Sequence, residues 1–188
     1  MRSRVRQIIV FFFLALLTCC QRDKIDPTLV LEGSLNGTSW QRDGWTFKGG
    51  VYRTKGFNTT FCNLGTLDIL LTHHNPQGYG REHLFIAKIP PRLGIYPVRN
   101  FYDCDVNADV GAQFYLLGAD GDVLTAVFDV VESADNKLVV ERIDSSARQL
   151  TGRLQVTLAA GPKQRSSSTP YDTVRITDCR FTLPFENR

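Results

Sequence analysis

The stretch QLTGRLQVTLA (149–159) leaves the backbone little choice. Leu150, Gly152, Leu154, Val156 and Leu158 share one parity, and Thr151, Arg153, Gln155 and Thr157 share the other. Successive side chains of an extended chain point to opposite faces, so this alternation buries one face of a strand and wets the other. A helix would scatter the same apolar residues around its circumference. VLTAVFDVV (123–131) repeats the pattern, with Leu124, Ala126, Phe128 and Val130 on one side. AQFYLLGADGDVLTAVF (112–128) reads as two strands joined through Asp120-Gly121, a hairpin turn pair.

Period two persists from Leu29 onward. Further strands are predicted at 29–35, 45–53, 66–72, 83–89, 94–99, 137–143 and 173–184. The turn signals are Gly49-Gly50, Asn75-Pro76, Pro90-Pro91 with Gly94, Asp135-Asn136 and Asp144-Ser145-Ser146. No stretch after residue 30 carries helical spacing. With 43% hydrophobic and 22% charged residues, a chain of 188 residues can bury a real core and is not disordered as a whole. The expected fold is one all-β domain over 29–188, an antiparallel β-sandwich or flattened barrel of about eight to ten strands. In VRITDCRFTLPF (174–185) the parity slips between Ile176 and Cys179, which a bulge near Thr177-Asp178 would repair. Gly152 within its strand marks a bulge or a close backbone approach. GPKQRSSSTPYD (161–172) is low in complexity and is predicted as a mobile loop between the last two strands.

The N-terminus has a different character. Arg2, Arg4 and Arg6 precede an apolar run from Ile8 to Leu17. An export signal has this layout, whereas a membrane span needs about 20 apolar residues. An uncleaved signal-anchor is the competing reading. LLTCC (16–20) resembles a bacterial lipobox, which implies a diacylglyceryl group on a cysteine sulfur followed by acylation of the new N-terminus. Cys20 and Cys19 are both candidates for lipid attachment. Neither has the Gly, Ala or Ser usual just before the cysteine, and the Cys20 frame is preferred because Thr18 then takes the small middle position. Residues 1–19 are thus expected to be a signal peptide and 20–28 a tether. QRDKIDPT (21–28) resembles the Gln/Lys-plus-acid motif that sends lipoproteins of the Bacteroides lineage to the cell surface; the plainer reading is a solvated linker. Removing residues 1–19 takes away three of the 22 basic residues and no acid, which leaves 19 against 19. A neutral body has no footprint for a phosphate backbone, so no nucleic-acid partner is expected.

Chemistry-bearing residues are few. In YDCDVNADVG (102–111), Asp103, Asp105, Asn107 and Asp109 alternate like calcium ligands. An EF-hand loop starting at Asp103 needs Gly and Glu where the chain has Ala108 and Phe114. An edge strand with an acidic outer face explains the pattern without metal. His73, His74 and His83 are the three histidines. His73 and His74 would face opposite ways on a strand and chelate poorly, and they are read as part of a polar loop around Asn75-Pro76. No HExxH or GxSxG occurs, and Ser166, Ser167 and Ser168 have no assigned base. No catalytic residue, metal or cofactor is implied. Cys62, Cys104 and Cys179 leave two readings open: one disulfide in an oxidising compartment, or buried free thiols. Trp40, Trp45, Tyr79, Tyr96, Phe101 and Tyr102 suit either sugar stacking or, more commonly, a core.

Four stretches taken in order, LNGTSW (35–40), REHLFIAKIPPRLGIYPV (81–98), NKLVVERIDSSARQLTGRLQVTL (136–158) and VRITDCRFTLPF (174–185), resemble a group of small all-β lipoproteins of the Bacteroides lineage without assigned function. In that group glycine is common where this chain has Cys179. The resemblance transfers no catalytic residue. It implies a non-enzymatic binding or accessory module, lipid-anchored at the outer membrane and facing the periplasm or the outside, with an envelope protein or glycan as partner. The alternatives are a subunit of an outer-membrane complex, a hydrolase of glycans or peptides, and a lipocalin-like carrier.

Overall fold

A computed structural model describes residues 29–53, 65–101, 109–133, 135–165 and 170–186. Among these residues there is no helix. The strands are β1 (Val30–Leu35), β2 (Thr38–Ser39), β3 (Thr46–Arg53), β4 (Leu67–His74), β5 (Gly80–Ile89), β6 (Gly94–Asn100), β7 (Val110–Leu117), β8 (Leu124–Val130), β9 (Lys137–Asp144), β10 (Gln149–Arg165) and β11 (Thr173–Pro184). The all-β expectation holds. Two details differ from it: eleven strands form one sheet, and that sheet is mixed, because β6 runs parallel to β7 from Val98 to Asn100.

The strand order is β2-β1-β11-β10-β9-β6-β7-β5-β4-β3, with β8 bridging β10 and β7. β3 returns to the end of β11 through a parallel bridge between Val51 and Phe185, where Glu186 N–H donates to Val51 O at 2.8 Å. The pairings therefore run in a ring, on the barrel side of the expectation.

The sheet also branches, for a reason written into β10. That strand is 17 residues long. One of its edges pairs with β11 from Gln149 to Ala159. The other edge pairs first with β9, up to Gln155, and then with β8 from Leu158. Where a strand changes neighbours, backbone groups lose their ladder partners and must find others. Asn136 supplies them. Its Oδ1 accepts from Thr157 N–H at 3.0 Å and its Nδ2 donates to Val131 O at 2.6 Å. Its backbone carbonyl accepts from Val98 N–H at 3.1 Å. Asn136 is only 2% exposed.

The predicted parity of β10 is what the core uses: Leu150, Leu154, Val156 and Leu158 are buried, while Arg153 between them is exposed. Phe114 and Phe128 from neighbouring strands meet edge-on, 5.9 Å between centroids. The expected bulge lies at Thr177-Asp178. Leu154 pairs with Cys179 and Val156 with Ile176, and Asp178 takes a φ of 51°. Gly152 marks a close approach, since a Cβ there would lie 2.3 Å from Val139 O. Asn36 and Gly37, with φ of 54° and 80°, form the two-residue turn from β1 to β2.

Two local readings are corrected. Gly49-Gly50 is not a turn but lies inside β3, paired with Leu71 and Leu70. The low-complexity stretch begins as strand, for β10 continues to Arg165, which pairs with Ala126. Residues 166–169 lie outside the described residues.

Candidate functional site

The densest polar grouping sits where β4 ends and β5 begins. Leu67, Ile69 and Leu71 give β4 a buried parity, and His73 continues it. Glu82 of β5 stands opposite His73. His73 Nδ1 lies 2.9 Å from Glu82 Oε2, and the same oxygen accepts from Trp40 Nε1–H at 2.9 Å. Arg42 Nη2 donates to Glu82 Oε1 at 2.6 Å. The His73 and Glu82 side chains are 0% and 4% exposed, and that of Arg42 is 32% exposed. Both carboxylate oxygens are thus held by donors, as a buried charge requires.

Aromatic rings complete the enclosure. Phe47 stacks on His73 with 4.1 Å between centroids, and Trp45 lies 4.7 Å from it. The Arg42 guanidinium sits 4.7 Å above the Trp45 ring, in cation–π range. Burial alone would raise the Glu82 carboxyl. The His73 hydrogen bond, the Arg42 charge and the Trp40 N–H outweigh it and hold the group below its ordinary value of 4.5.

A carboxylate accepts only, so Glu82 fixes the proton of His73 on Nδ1. The other ring nitrogen, Nε2, points away from the carboxylate, as in an imidazole held by an acid. Here that nitrogen is buried and has no hydrogen-bond partner among the described residues. Under the Phe47 and Trp45 rings the pair fastens the Trp40–Trp45 segment over this end of the sheet.

The polar-loop reading of the histidines is overturned. His73 and His74 both close β4, and the turn begins only at Asn75, whose N–H donates to Tyr79 O. The physical reason is Glu82, which gives a buried imidazole a partner and lets the strand run on. The opposite-faces expectation holds, because His74 points to the other side with His83. There His74 Nδ1 and His83 Nε2 are buried without hydrogen-bond partners among the described residues. Burial first, and then the neighbouring His74, hold His83 below its ordinary value of 6.5.

The other predicted residues distribute as follows. Trp40 is core at 1% exposure, Trp45, Tyr96 and Phe101 are half-buried, and Tyr79 is exposed. Cys179 is a free thiol on the inner face of β11, pushed up to about 12 by burial. Its side chain is enclosed by the core beside the bulge, and its two possible disulfide partners, Cys62 and Cys104, lie outside the described residues. Cys19, Cys20, Cys62, Cys104 and Tyr102 lie outside the described residues, as do Asp103, Asp105, Asn107, Ser166, Ser167 and Ser168. Asp109 is described and pairs with Arg99 at 3.5 Å, and Phe114 is core. Among the described residues no group of three His, Cys, Asp or Glu side chains converges.

Two surfaces present apolar side chains. The β4–β5 and β7–β8 hairpin tips adjoin, since a Cβ on Gly121 would lie 3.4 Å from Tyr79 Cβ, and Tyr79, Val123 and Leu124 are all about half exposed there. On the outer face beside the bulge, Ile95, Lys137, Val139, Arg153 and Asp178 line a shallow groove of about 330 Å³.

The fold and this site define an all-β chain whose curled sheet is closed at one end by a buried carboxylate–imidazole–guanidinium cluster. No protein-family model matches the chain, no curated protein matches its sequence, and no solved structure matches it.

Proposed function

We propose that the chain is an exported lipoprotein of a Gram-negative envelope, fastened through Cys20 or Cys19 to the outer membrane. In this reading its β body acts there as a non-enzymatic binding or accessory module. The observation that carries the reading is the N-terminal layout: Arg2, Arg4 and Arg6, ten apolar residues from Ile8 to Leu17, then paired cysteines and a polar tether. Acyl chains contribute about 0.8 kcal/mol per buried methylene, so more than one holds a domain firmly at a surface. The family resemblance belongs with this reading and leads to an envelope protein or glycan as the partner. The exposed Tyr79, Val123 and Leu124 at adjoining hairpin tips are where such a partner would meet the body.

The test is fractionation. The wild-type chain is expected to sediment with membranes, and the double variant Cys19→Ala/Cys20→Ala to appear in the soluble fraction. Continued sedimentation of the folded double variant sinks the anchor.

The same apolar tips favour one second reading, a subunit of an outer-membrane complex, because clustered exposed apolar side chains mark interaction sites. It is distinguished by a stoichiometric partner that co-purifies in mild detergent.

A further inference from the structure

We propose that His74 and His83 form a two-imidazole binding site for a divalent transition-metal ion of the Cu²⁺, Ni²⁺ and Zn²⁺ class. β4 and β5 pair with Thr72 opposite His83. After a one-residue irregularity, His74 falls opposite Gly80. His74 and His83 are therefore diagonal neighbours on one face, within reach of each other's rings. The side chain that would separate them is missing because the residue is Gly80. A Cβ there would fall 3.0 Å from His83 Nε2, 3.8 Å from His74 Nε2 and 2.9 Å from Thr72 Cγ2. Both imidazoles thus converge on one corner of the sheet.

The second observation concerns hydrogen bonding. His83 Nε2, the ring nitrogen nearest that corner, is buried with no hydrogen-bond partner among the described residues; on His74 the unpartnered nitrogen is Nδ1, while Nε2 faces the corner. Two imidazoles side by side are nitrogen donors that suit a cation of borderline softness rather than a hard Ca²⁺ or Mg²⁺. With two protein ligands the remaining coordination positions fall to water or to an incoming group. Such a site captures and presents a metal rather than building the fold.

The test uses the full-length chain purified in detergent, without a polyhistidine tag, titrated with Cu²⁺ and followed by electron paramagnetic resonance. Wild type is expected to bind one Cu²⁺ with superhyperfine splitting from two imidazole nitrogens. His74→Gln and His83→Gln should each lose one nitrogen, and the double variant should lose the signal. His73 stays in all of them and, facing the core, should contribute nothing. Gly80→Ala keeps both histidines but fills the corner, and should weaken binding about tenfold or more. Unfolding curves matched to wild type qualify each variant, and Gly80→Ala carries the test should a histidine variant unfold. A wild-type spectrum without nitrogen coupling overturns the site. So does a folded double variant with unchanged coupling, or a folded Gly80→Ala with wild-type affinity.

Discussion

Glu82 and Asn136 are both buried polar residues, and they are handled in opposite ways. Glu82 is charged, sits at an end of the sheet, and is held by three side chains from β4 and from the segment after β2. Asn136 is neutral, sits at the branch, and is held by backbone groups of β6, β10 and Val131, just after β8. The first fastens a covering segment to the sheet. The second replaces ladder hydrogen bonds that the sheet cannot make for itself. Burial of a polar atom has no single meaning, and its partners decide what it does.

Three measurements would break or sharpen the contrast. Glu82→Gln keeps the shape but leaves the Arg42 charge without its counterion and the His73 hydrogen bond without its carboxylate. The expected loss in denaturant unfolding is about 3 kcal/mol, at the low end for a broken buried pair because Arg42 is partly exposed. Asn136→Ala leaves Thr157 N–H and Val131 O unsatisfied, and about 2 kcal/mol should go. A larger loss at Asn136 than at Glu82 would mean that the branch, not the charged end, is the more critical of the two.

The smallest effect is in pH. The Glu82 carboxyl lies below its ordinary 4.5 in the folded protein. Its contribution is therefore complete above 4.5 and fades as pH falls through the folded value. Wild type should lose stability over that acidic range, Glu82→Gln should lose less of it, and Asn136→Ala should run parallel to wild type. An Asn136→Ala curve as flat as that of Glu82→Gln would contradict the separation of the two roles.

Much of the fold could be read from residue parity. The β10 alternation, the bulge before Cys179, the close approach at Gly152 and the Asn36-Gly37 turn all follow from local rules with strong geometric content. The branch was not legible, because nothing local to β10 says that one edge serves two neighbours. The parallel contact of β6 with β7 was hidden for the same reason: it joins segments that no tight turn connects. The site was half legible. Parity placed His73 and His74 on opposite faces. Pairing His73 with Glu82, and His74 with His83, needed the register across the 75–79 turn, which shifts by one residue near Arg81. Gly49-Gly50 misled because two glycines read as a turn, whereas here they let β3 lie close to its neighbours.

The pairing of β1 with β11 also sets a clock. Asn36 binds the backbone of Arg175, 139 positions later. At synthesis rates of about 5–20 residues per second, roughly 7–30 s separate the appearance of the two partners. Throughout that interval the first strand has its hairpin mate β2 but not its main neighbour, and the ring at Val51 cannot close. Closure of the ring therefore waits on the synthesis of β11.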